Sequence, residues 1–348
     1  MLLRYIVRNF KSIGHPVEFS MLPSNKDMDK RFLTTIKTKA GDWNVLRRGG
    51  FWGPNASGKT SFIESLEYAK NFIINGKKSG KNTGVNQFKG KLDDLENISS
   101  FQFLFYQNGD VYDYGFSVDR TQVYEEWLMV LTEKDFSPMF TRITDQDGKT
   151  MIEIGSKFSK KGSKQRDFAE TLTKGMQEKQ KNQLFLYKLY DNGVKRVEEI
   201  IDWFNELQII FPSSTVKGLP IRMQADADFK TFIADSLKAF YTGIFDVSIV
   251  SDEINFYEYA EKLNLPQNII NEIEDIGNGI VTLNGKYFIF SESAKKHTTL
   301  MQIKFEHRLN DISLKFNIDE ESDGTKRLLD LLPILFVVSK NNKQIFFI

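Results

Sequence analysis

Apolar and polar positions alternate along residues 2–10 and stop doing so at Lys11 and Ser12, which predicts a first strand and its end. Residues 17–20 predict a second strand. Asn44, Val45 and Leu46, followed by Phe51 and Trp52, predict a buried strand, and the polar stretch 21–43 predicts an insertion between the early strands. Residues 61–69 carry apolar side chains at helical spacing. Residues 101–105 and 111–116 flank Asn108, Gly109 and Asp110, a hairpin signal, within a strand-rich region 100–154 that predicts an antiparallel sheet. Residues 167–275 predict mainly helices, such as 194–207 with one apolar face at Val197, Ile200, Ile201 and Phe204. Strands return at 280–283, 286–291, 300–305 and 313–318. An apolar helix follows at 328–338, then a turn at Asn341, Asn342 and Lys343, then the start of a buried strand at 344–348. No heptad is sustained, which argues against long coiled-coil arms, and no internal repeat is found.

Composition narrows the class. A chain of 348 residues with 41% hydrophobic and 27% charged residues suits a globular protein of one large domain or two. No apolar run approaches the length of a membrane span, and the N-terminus lacks a signal-peptide pattern. Zero cysteines exclude disulfides, thiol nucleophiles and Cys-type zinc sites, in keeping with an expected cytoplasmic location. A net charge of +1 gives no global attraction to nucleic acid. Two local stretches are basic: 76–90, expected to be a flexible loop, and 155–166, with five positive charges and no acid. Their Lys and Arg could neutralise phosphates while Phe88 and Phe158 stack on bases, so 77–89 and 157–166 are candidate nucleic-acid contacts. Solvated loops would have the same composition.

The sharpest chemistry lies at 53–60. Gly53, Asn55, Ala56, Ser57, Gly58, Lys59 and Thr60, with Pro54, match the phosphate-loop pattern G-x-x-x-x-G-K-[S/T]. The glycines allow backbone N–H groups to turn inward as an anion nest. Lys59 reaches the β- and γ-phosphates, and the Thr60 hydroxyl is a ligand for Mg²⁺. Ser61 opens the helix whose N-terminus backs the phosphates. ATP and Mg²⁺ are therefore the expected cofactors. The alternative, a chance glycine-rich turn, does not require strand, loop and helix to arrive in this order. Far downstream, Ser322, Asp323 and Gly324 precede the helix predicted from 325. They are either a plain helix cap or an anion site on the helix dipole.

Asn9-Phe10-Lys11-Ser12, the loop 53–60 and the segment 321–335 together resemble the ABC-type ATPase heads of the RecF, SMC and OLD group, in particular the AAA-type ATPases of bacterial anti-phage and abortive-infection systems. The hairpin and Glu125-Glu126-Trp127-Leu128 extend the resemblance over most of the chain. It implies an α/β P-loop NTPase, an ABC-ATPase-like head with an antiparallel β subregion and an inserted helical subdomain. The implied divisions are a nucleotide-binding lobe 1–154, an inserted subdomain 155–275 and a return to the head at 276–348. It places Lys11 and Ser12 beside the phosphates, and makes Ser322, Asp323 and Gly324 the signature that binds the γ-phosphate held by an opposite subunit. Lys59 and Ser322 are then the catalytic candidates, and Gln87 a weaker candidate for sensing the γ-phosphate. The implied partners are a second copy, in a homodimer or higher oligomer, and an effector such as a toprim or HNH nuclease.

The sequence departs from the pattern at 345–348, where the apolar run is not followed by the Asp-Glu pair that completes Mg²⁺ coordination and orients water. His15, His297 and His307 precede that strand and do not replace the family's later switch histidine. A longer native chain is the expectation, and a short protein that lost hydrolysis the alternative. The leading functional expectation is an ATP-binding and ATP-hydrolysing head that dimerises around ATP and controls an effector in anti-phage defence. A RecF-like DNA-repair clamp and a non-catalytic nucleotide-binding scaffold are the other readings.

Overall fold

The computed structural model describes residues 1–24, 29–90, 98–133, 135–145, 147–211, 218–274, 279–283, 285–290, 298–309, 312–340 and 346–347. It divides into two compact units.

The first unit holds Met1–Ile210 and a C-terminal strand. Its elements are β1 (Leu2–Arg8), β2 (Val17–Ser20), β3 (Leu33–Thr38), β4 (Gly41–Leu46), α1 (Lys59–Asn75), β5 (Ser99–Gln107), β6 (Asp110–Val118), β7 (Val123–Leu131), β8 (Phe136–Thr144), β9 (Thr150–Ile154), α2 (Lys164–Lys179), α3 (Phe185–Asp191), α4 (Glu198–Glu206) and β10 (Gln208–Ile209). Among the described residues, a seven-stranded antiparallel sheet runs β2-β1-β5-β6-β7-β8-β9. The β5–β6 hairpin turns where predicted. Asn108 and Gly109 both have positive φ, 49° and 89°, which matches the twist of a two-residue hairpin turn. One face of the sheet packs on α1 and α4. Tyr5, Phe62, Phe101, Phe103, Phe105, Phe116, Trp203 and Phe204 are buried there, with Phe105 stacked on Trp203 at 4.3 Å and Phe103 edge-on to Phe204 at 5.1 Å. Each buried aromatic of this size contributes about 2–3 kcal/mol by leaving water. The predicted apolar face of 194–207 is the buried one: Val197, Ile200, Ile201 and Phe204 are all fully covered.

Two expectations for this unit are corrected. Residues 44–46 do form a strand, but β4 pairs antiparallel with β3 in a hairpin that occupies most of the predicted polar insertion. The predicted run then stops. Arg47, Arg48, Gly49 and Gly50 interrupt it, residues 47–58 form no strand, and Trp52 is 89% exposed. The segment 76–90 is a loop but not a loose one. Thr83 N–H donates to Arg120 O at 3.0 Å and its hydroxyl to Asp119 O at 2.5 Å, Asn182 Nδ2 donates to Lys78 O and Lys81 O, and Gln183 Nε2 to Lys77 O. Thr83 and Val85 are buried in consequence.

The second unit lies within Phe211–Lys343. It contains α5 (Leu219–Ala225), α6 (Ala227–Ala239), β11 (Ile244–Ile254), α7 (Phe256–Lys262), α8 (Gln267–Glu274), β12 (Gly279–Leu283), β13 (Lys286–Phe290), β14 (Thr298–Leu309), β15 (Ile312–Asn317) and α9 (Asp323–Lys340). The sheet runs β11-β14-β13-β12, with β15 also paired to β14. The returning strands 280–318 fall where the alternation put them, with Ser291 outside the described residues. The region expected to be mainly helical also contains β11, an eleven-residue strand, because 244–254 gain ladder hydrogen bonds from β14 along nearly their whole length. Helices α5, α6 and α9 cover one face of the sheet through Met223, Phe229, Ile233, Leu237, Leu329, Leu332 and Phe336.

The final strand, β16 (Phe346–Phe347), belongs to the first unit and pairs in parallel with β10, Gln208 opposite Phe346 and Ile209 opposite Phe347. The predicted turn 341–343 and the rest of the expected strand, 344, 345 and 348, lie outside the described residues.

Candidate functional site

Residues 53–58 form an irregular loop that runs directly into α1. Two backbone positions shape it. Ala56 has φ +64°, and Gly58, the N-cap of α1, has φ +95°. Left-handed residues among right-handed neighbours turn successive N–H groups to one side, which is how a chain makes an anion nest. Only glycine adopts the Gly58 conformation without strain, and a Cβ there would also press on Ser12 Oγ at 3.3 Å. A Cβ on Gly53 would meet Ser57 Oγ at 2.6 Å, so the loop closes tightly only with glycine at both ends. No side chain caps α1, which leaves its first N–H groups and the positive end of its dipole directed at the loop.

Lys59 folds back over the loop. Its Nζ donates to Gly53 O at 2.7 Å and to Pro54 O at 2.8 Å, so an ammonium lies beside the nest. Asn55, Ser57 and Thr60 are exposed at the same place, and the Thr60 hydroxyl stands in the first turn of α1. The residues fit a phosphate group: a positive charge, a helix N-terminus and a backbone cradle that a side chain at Gly53 or Gly58 would fill. Toward Mg²⁺ the loop offers the Thr60 hydroxyl. Among the described residues, no group of three or more His, Cys, Asp or Glu side chains forms a metal cage.

The turn after β1 is brought to the loop. Ser12 Oγ donates to Ser61 Oγ at 2.7 Å, and Lys11 Nζ pairs with Glu64 Oε1 at 2.6 Å on the next turn of α1. Lys11 N–H donates to Asn86 O at 2.7 Å, and Phe88 N–H to Asn9 Oδ1 at 3.0 Å. Lys11, Ser12, Ser61 and the segment around Gln87 therefore converge on one side of α1. Lys11 and Asn86 also line a cleft of about 300 Å³, together with Glu64, Tyr68, Asn71 and Lys77. Glu64 was not marked by the sequence motif. Its signal is position, one helical turn beyond Thr60.

Ser322, Asp323 and Gly324 lie in the other unit, exposed at the start of α9. Ser322 Oγ accepts from Thr325 N–H at 3.1 Å, so the plain capping role is real. The N–H groups of Asp323 and Gly324 have no intrahelical partner by position.

Of the two basic stretches, the second loses its aromatic. Phe158 is 2% exposed and packs in the core, so it offers no ring to a base; the expectation failed because an apolar ring beside lysines was better used as an anchor. Arg166 is also engaged, donating to Gly155 O and Ile154 O and pairing with Glu170.

Sequence reasoning missed a buried ionic network in the first unit. Glu126 and Arg142 sit on inward-facing positions of β7 and β8, both about 1% exposed. The Glu126 carboxylate accepts from Phe185 N–H at 2.5 Å, Leu186 N–H at 2.9 Å and Tyr114 Oη–H at 3.1 Å. Arg142 Nη1 donates to Gln183 O at 2.5 Å and stands 3.9 Å from Glu126. Burial pushes the Glu126 carboxyl up, against the opposing pull of Arg142 and the two N–H donors, and it pushes the Arg142 guanidinium down. The network fixes the start of α3 and hence Asn182 and Gln183, which hold the loop 77–81. A visible signal exists: Glu126 shares its strand face with Leu128 and Val130.

Comparison with known families gives one match. Residues 50–149, from just before the loop 53–60 through β8, match a family described as "AAA domain, putative AbiEii toxin, Type IV TA system". A comparison with curated proteins finds no match. The matched stretch supports a P-loop ATPase of the abortive-infection type rather than a RecF, SMC or OLD placement. The mixed α/β architecture with antiparallel sheets is consistent with such a domain. No helix among the described residues is long and apolar enough to cross a membrane.

Proposed function

We propose that this protein is an ATP-dependent switch: two copies close around ATP, and the closed state governs an effector, a nuclease of the toprim or HNH class, in an abortive-infection or toxin–antitoxin setting. The single observation that carries the reading is the loop 53–60, with its left-handed Ala56 and Gly58, uncapped α1 and overlying Lys59. In this reading Lys59 neutralises the β- and γ-phosphates, the N–H groups of 56–60 hold their oxygens, and the Ser12–Ser61 contact keeps the turn after β1 against the loop. Bound Mg²⁺, held in part by the Thr60 hydroxyl, would supply further charge neutralisation. Catalysis by such a site is positioning and charge stabilisation rather than covalent chemistry.

The second half of the site is Ser322, Asp323 and Gly324 of the other copy. The start of α9 supplies N–H groups and the positive end of its dipole to the γ-phosphate, with Ser322 adding its hydroxyl. ATP bridging two subunits makes the dimer's geometry depend on nucleotide state, which is what an effector can read. The proposed location is the cytoplasm.

Calorimetry with ATP and Mg²⁺ tests the first half. Wild type is expected to bind and Lys59→Ala to lose binding by at least about tenfold, since a charge-assisted phosphate contact is worth more than a neutral one. Equal affinity in the two proteins removes the loop from the mechanism.

A further inference from the structure

Among the described residues, β15 pairs with β14 alone: Phe316 stands opposite Phe305, Leu314 opposite His307 and Ile312 opposite Leu309. Alternate side chains of a strand share a face, so Phe316, Leu314 and Ile312 carry outward the apolar row that Phe305 begins in the core. That row ends uncovered. Ile312 is 61% exposed and Leu314 41%, and Ser313 and Lys315 between and beside them are exposed as well.

The backbone of the same edge is open. In an antiparallel sheet the N–H and C=O groups of successive residues point alternately to one side of the strand and the other. Asn317 N–H points away from β14, since it donates to Glu320 Oε2 at 2.6 Å. By that alternation the ladder groups of Lys315 and Ser313 also point outward, and no described backbone group takes them. Unpaired ladder groups beside an apolar row form a template for another strand.

The residues decide which strand fits. The order apolar, Ser313, Leu314, Lys315, apolar is nearly symmetric about Leu314. Turned about a two-fold axis at that residue, a second β15 sets Leu314 against the partner's Leu314 and Ile312 against the partner's Phe316. Ser313 then exchanges both backbone hydrogen bonds with the partner's Lys315. A lysine on an edge strand ordinarily resists pairing. Here the Ser313 hydroxyl donates to Glu306 Oε1 at 2.6 Å, so each Lys315 arrives beside the partner's Glu306 and its charge is met. An axis at Lys315 would instead oppose two lysines and ask Asn317 N–H for a bond it already gives to Glu320.

We propose that β15 is a homodimer edge, through which two copies of this chain join antiparallel about Leu314 into one continuous sheet without nucleotide. The contact is separate from the ATP-bridged one and does not rest on it. The chain contains no cysteine, so one introduced thiol reports the register. Directly opposed residues of a non-hydrogen-bonded antiparallel pair have Cα atoms about 4.5 Å apart, within reach of a disulfide. Nucleotide-free Leu314→Cys is expected to give a disulfide-linked dimer on mild oxidation with diamide. Ile312→Cys is expected to stay unlinked, because the same register holds its two thiols four residues apart, about 13 Å along the strand. Leu314→Cys links equally well when combined with Lys59→Ala, so a failed ATP site does not alter the outcome. Equal linking at both positions, or linking of Leu314→Cys no greater than in the urea-unfolded chain, overturns the proposal.

Sedimentation without nucleotide gives the equilibrium. Wild type is expected to dimerise. Leu314→Lys opposes two like charges, and Ser313→Pro removes one outward N–H per copy at an edge position that tolerates proline. Each should raise the dissociation constant at least about tenfold. A wild-type protein that stays monomeric at every concentration leaves the edge to solvent or to a foreign strand, and overturns the proposal.

Discussion

Replacing Glu126 by Ala tests whether the buried ionic network holds the first unit together. Arg142 is buried with no exposed surface on its side chain, and its Nε has no hydrogen-bond partner. Without Glu126 the guanidinium keeps its carbonyl partners at Gln183 and Lys181 but loses its counter-charge. Breaking a buried pair from one side costs about 3–5 kcal/mol. The same change orphans Phe185 N–H, Leu186 N–H and the Tyr114 hydroxyl, each worth about 1–3 kcal/mol if left dry, although such terms do not add in one network. A loss near 4 kcal/mol is the expected result. The assay is urea denaturation followed by tryptophan fluorescence, which reports this unit selectively, because Trp43, Trp52, Trp127 and Trp203 all lie in it. At a slope of about 3 kcal/mol/M, the midpoint falls by more than about 1 M. The double variant Glu126→Leu with Arg142→Met removes both charges at similar volume and should be more stable than Glu126→Ala by about 2 kcal/mol. A Glu126→Ala protein within about 1 kcal/mol of wild type, or a double variant whose losses simply add, would refute the account.

Asp119 gives a pH test. Burial raises its carboxyl, but donors from Gln122 N–H, Thr121 N–H, the Thr121 hydroxyl and Tyr124 outweigh this and hold it below the ordinary range. Its stabilisation is therefore complete above the unfolded carboxylate range and is lost as pH falls through the folded value. Asp119→Asn should flatten the acid limb of a denaturation-versus-pH curve below about pH 4, and an unchanged limb would count against it. Gly58→Ala should cost about 1–2 kcal/mol in backbone strain and weaken ATP binding, read by melting temperature and calorimetry; a neutral result would mean the loop does not need its left-handed end. Ser322→Arg should leave ATP affinity of the single chain nearly intact and abolish ATP-driven association in light scattering. Replacing Lys77, Lys78, Lys81 and Lys89 by Gln should flatten the salt dependence of any nucleic-acid binding in a gel-shift series, and no shift at low salt returns that loop to a purely structural role.

Period and turn chemistry made the local elements legible. The β5–β6 hairpin announced itself through Asn108-Gly109, α4 through its apolar face, and the turn at 53–58 that runs into α1 through its glycines at 53 and 58. What stayed hidden depended on partners distant in sequence. The strand status of 244–254 is decided by β14, some fifty residues on, and that of Phe51 and Trp52 by the lack of a ladder partner. The basic loop 76–90 looked mobile because glycine and lysine dominate it, yet Asn182 and Gln183 reach back about a hundred positions to tie it down. Glu64 and Glu126 carried only positional signals, one turn beyond Thr60 and on the strand face of Leu128 and Val130, because a single charged side chain gains its role from what faces it.

The parallel pairing of β10 with β16 gives the chain an order of events. The chain leaves the first unit just after β10, and the strand that completes the β10 ladder arrives only at 346–347. Everything between is a closed excursion whose two ends are held one ladder spacing apart, about 4.8 Å. Closing so long a loop costs on the order of 4–5 kcal/mol in chain entropy if the intervening segment is unfolded, and far less once it is compact. During synthesis the first unit can assemble its sheet and α1–α4 but must wait, with β10 unpaired, until the second unit has been made. A swap of that excursion for a Gly-Ser bridge of about a dozen residues, long enough for a parallel crossover, should let β10 and β16 meet early and speed refolding followed by tryptophan fluorescence.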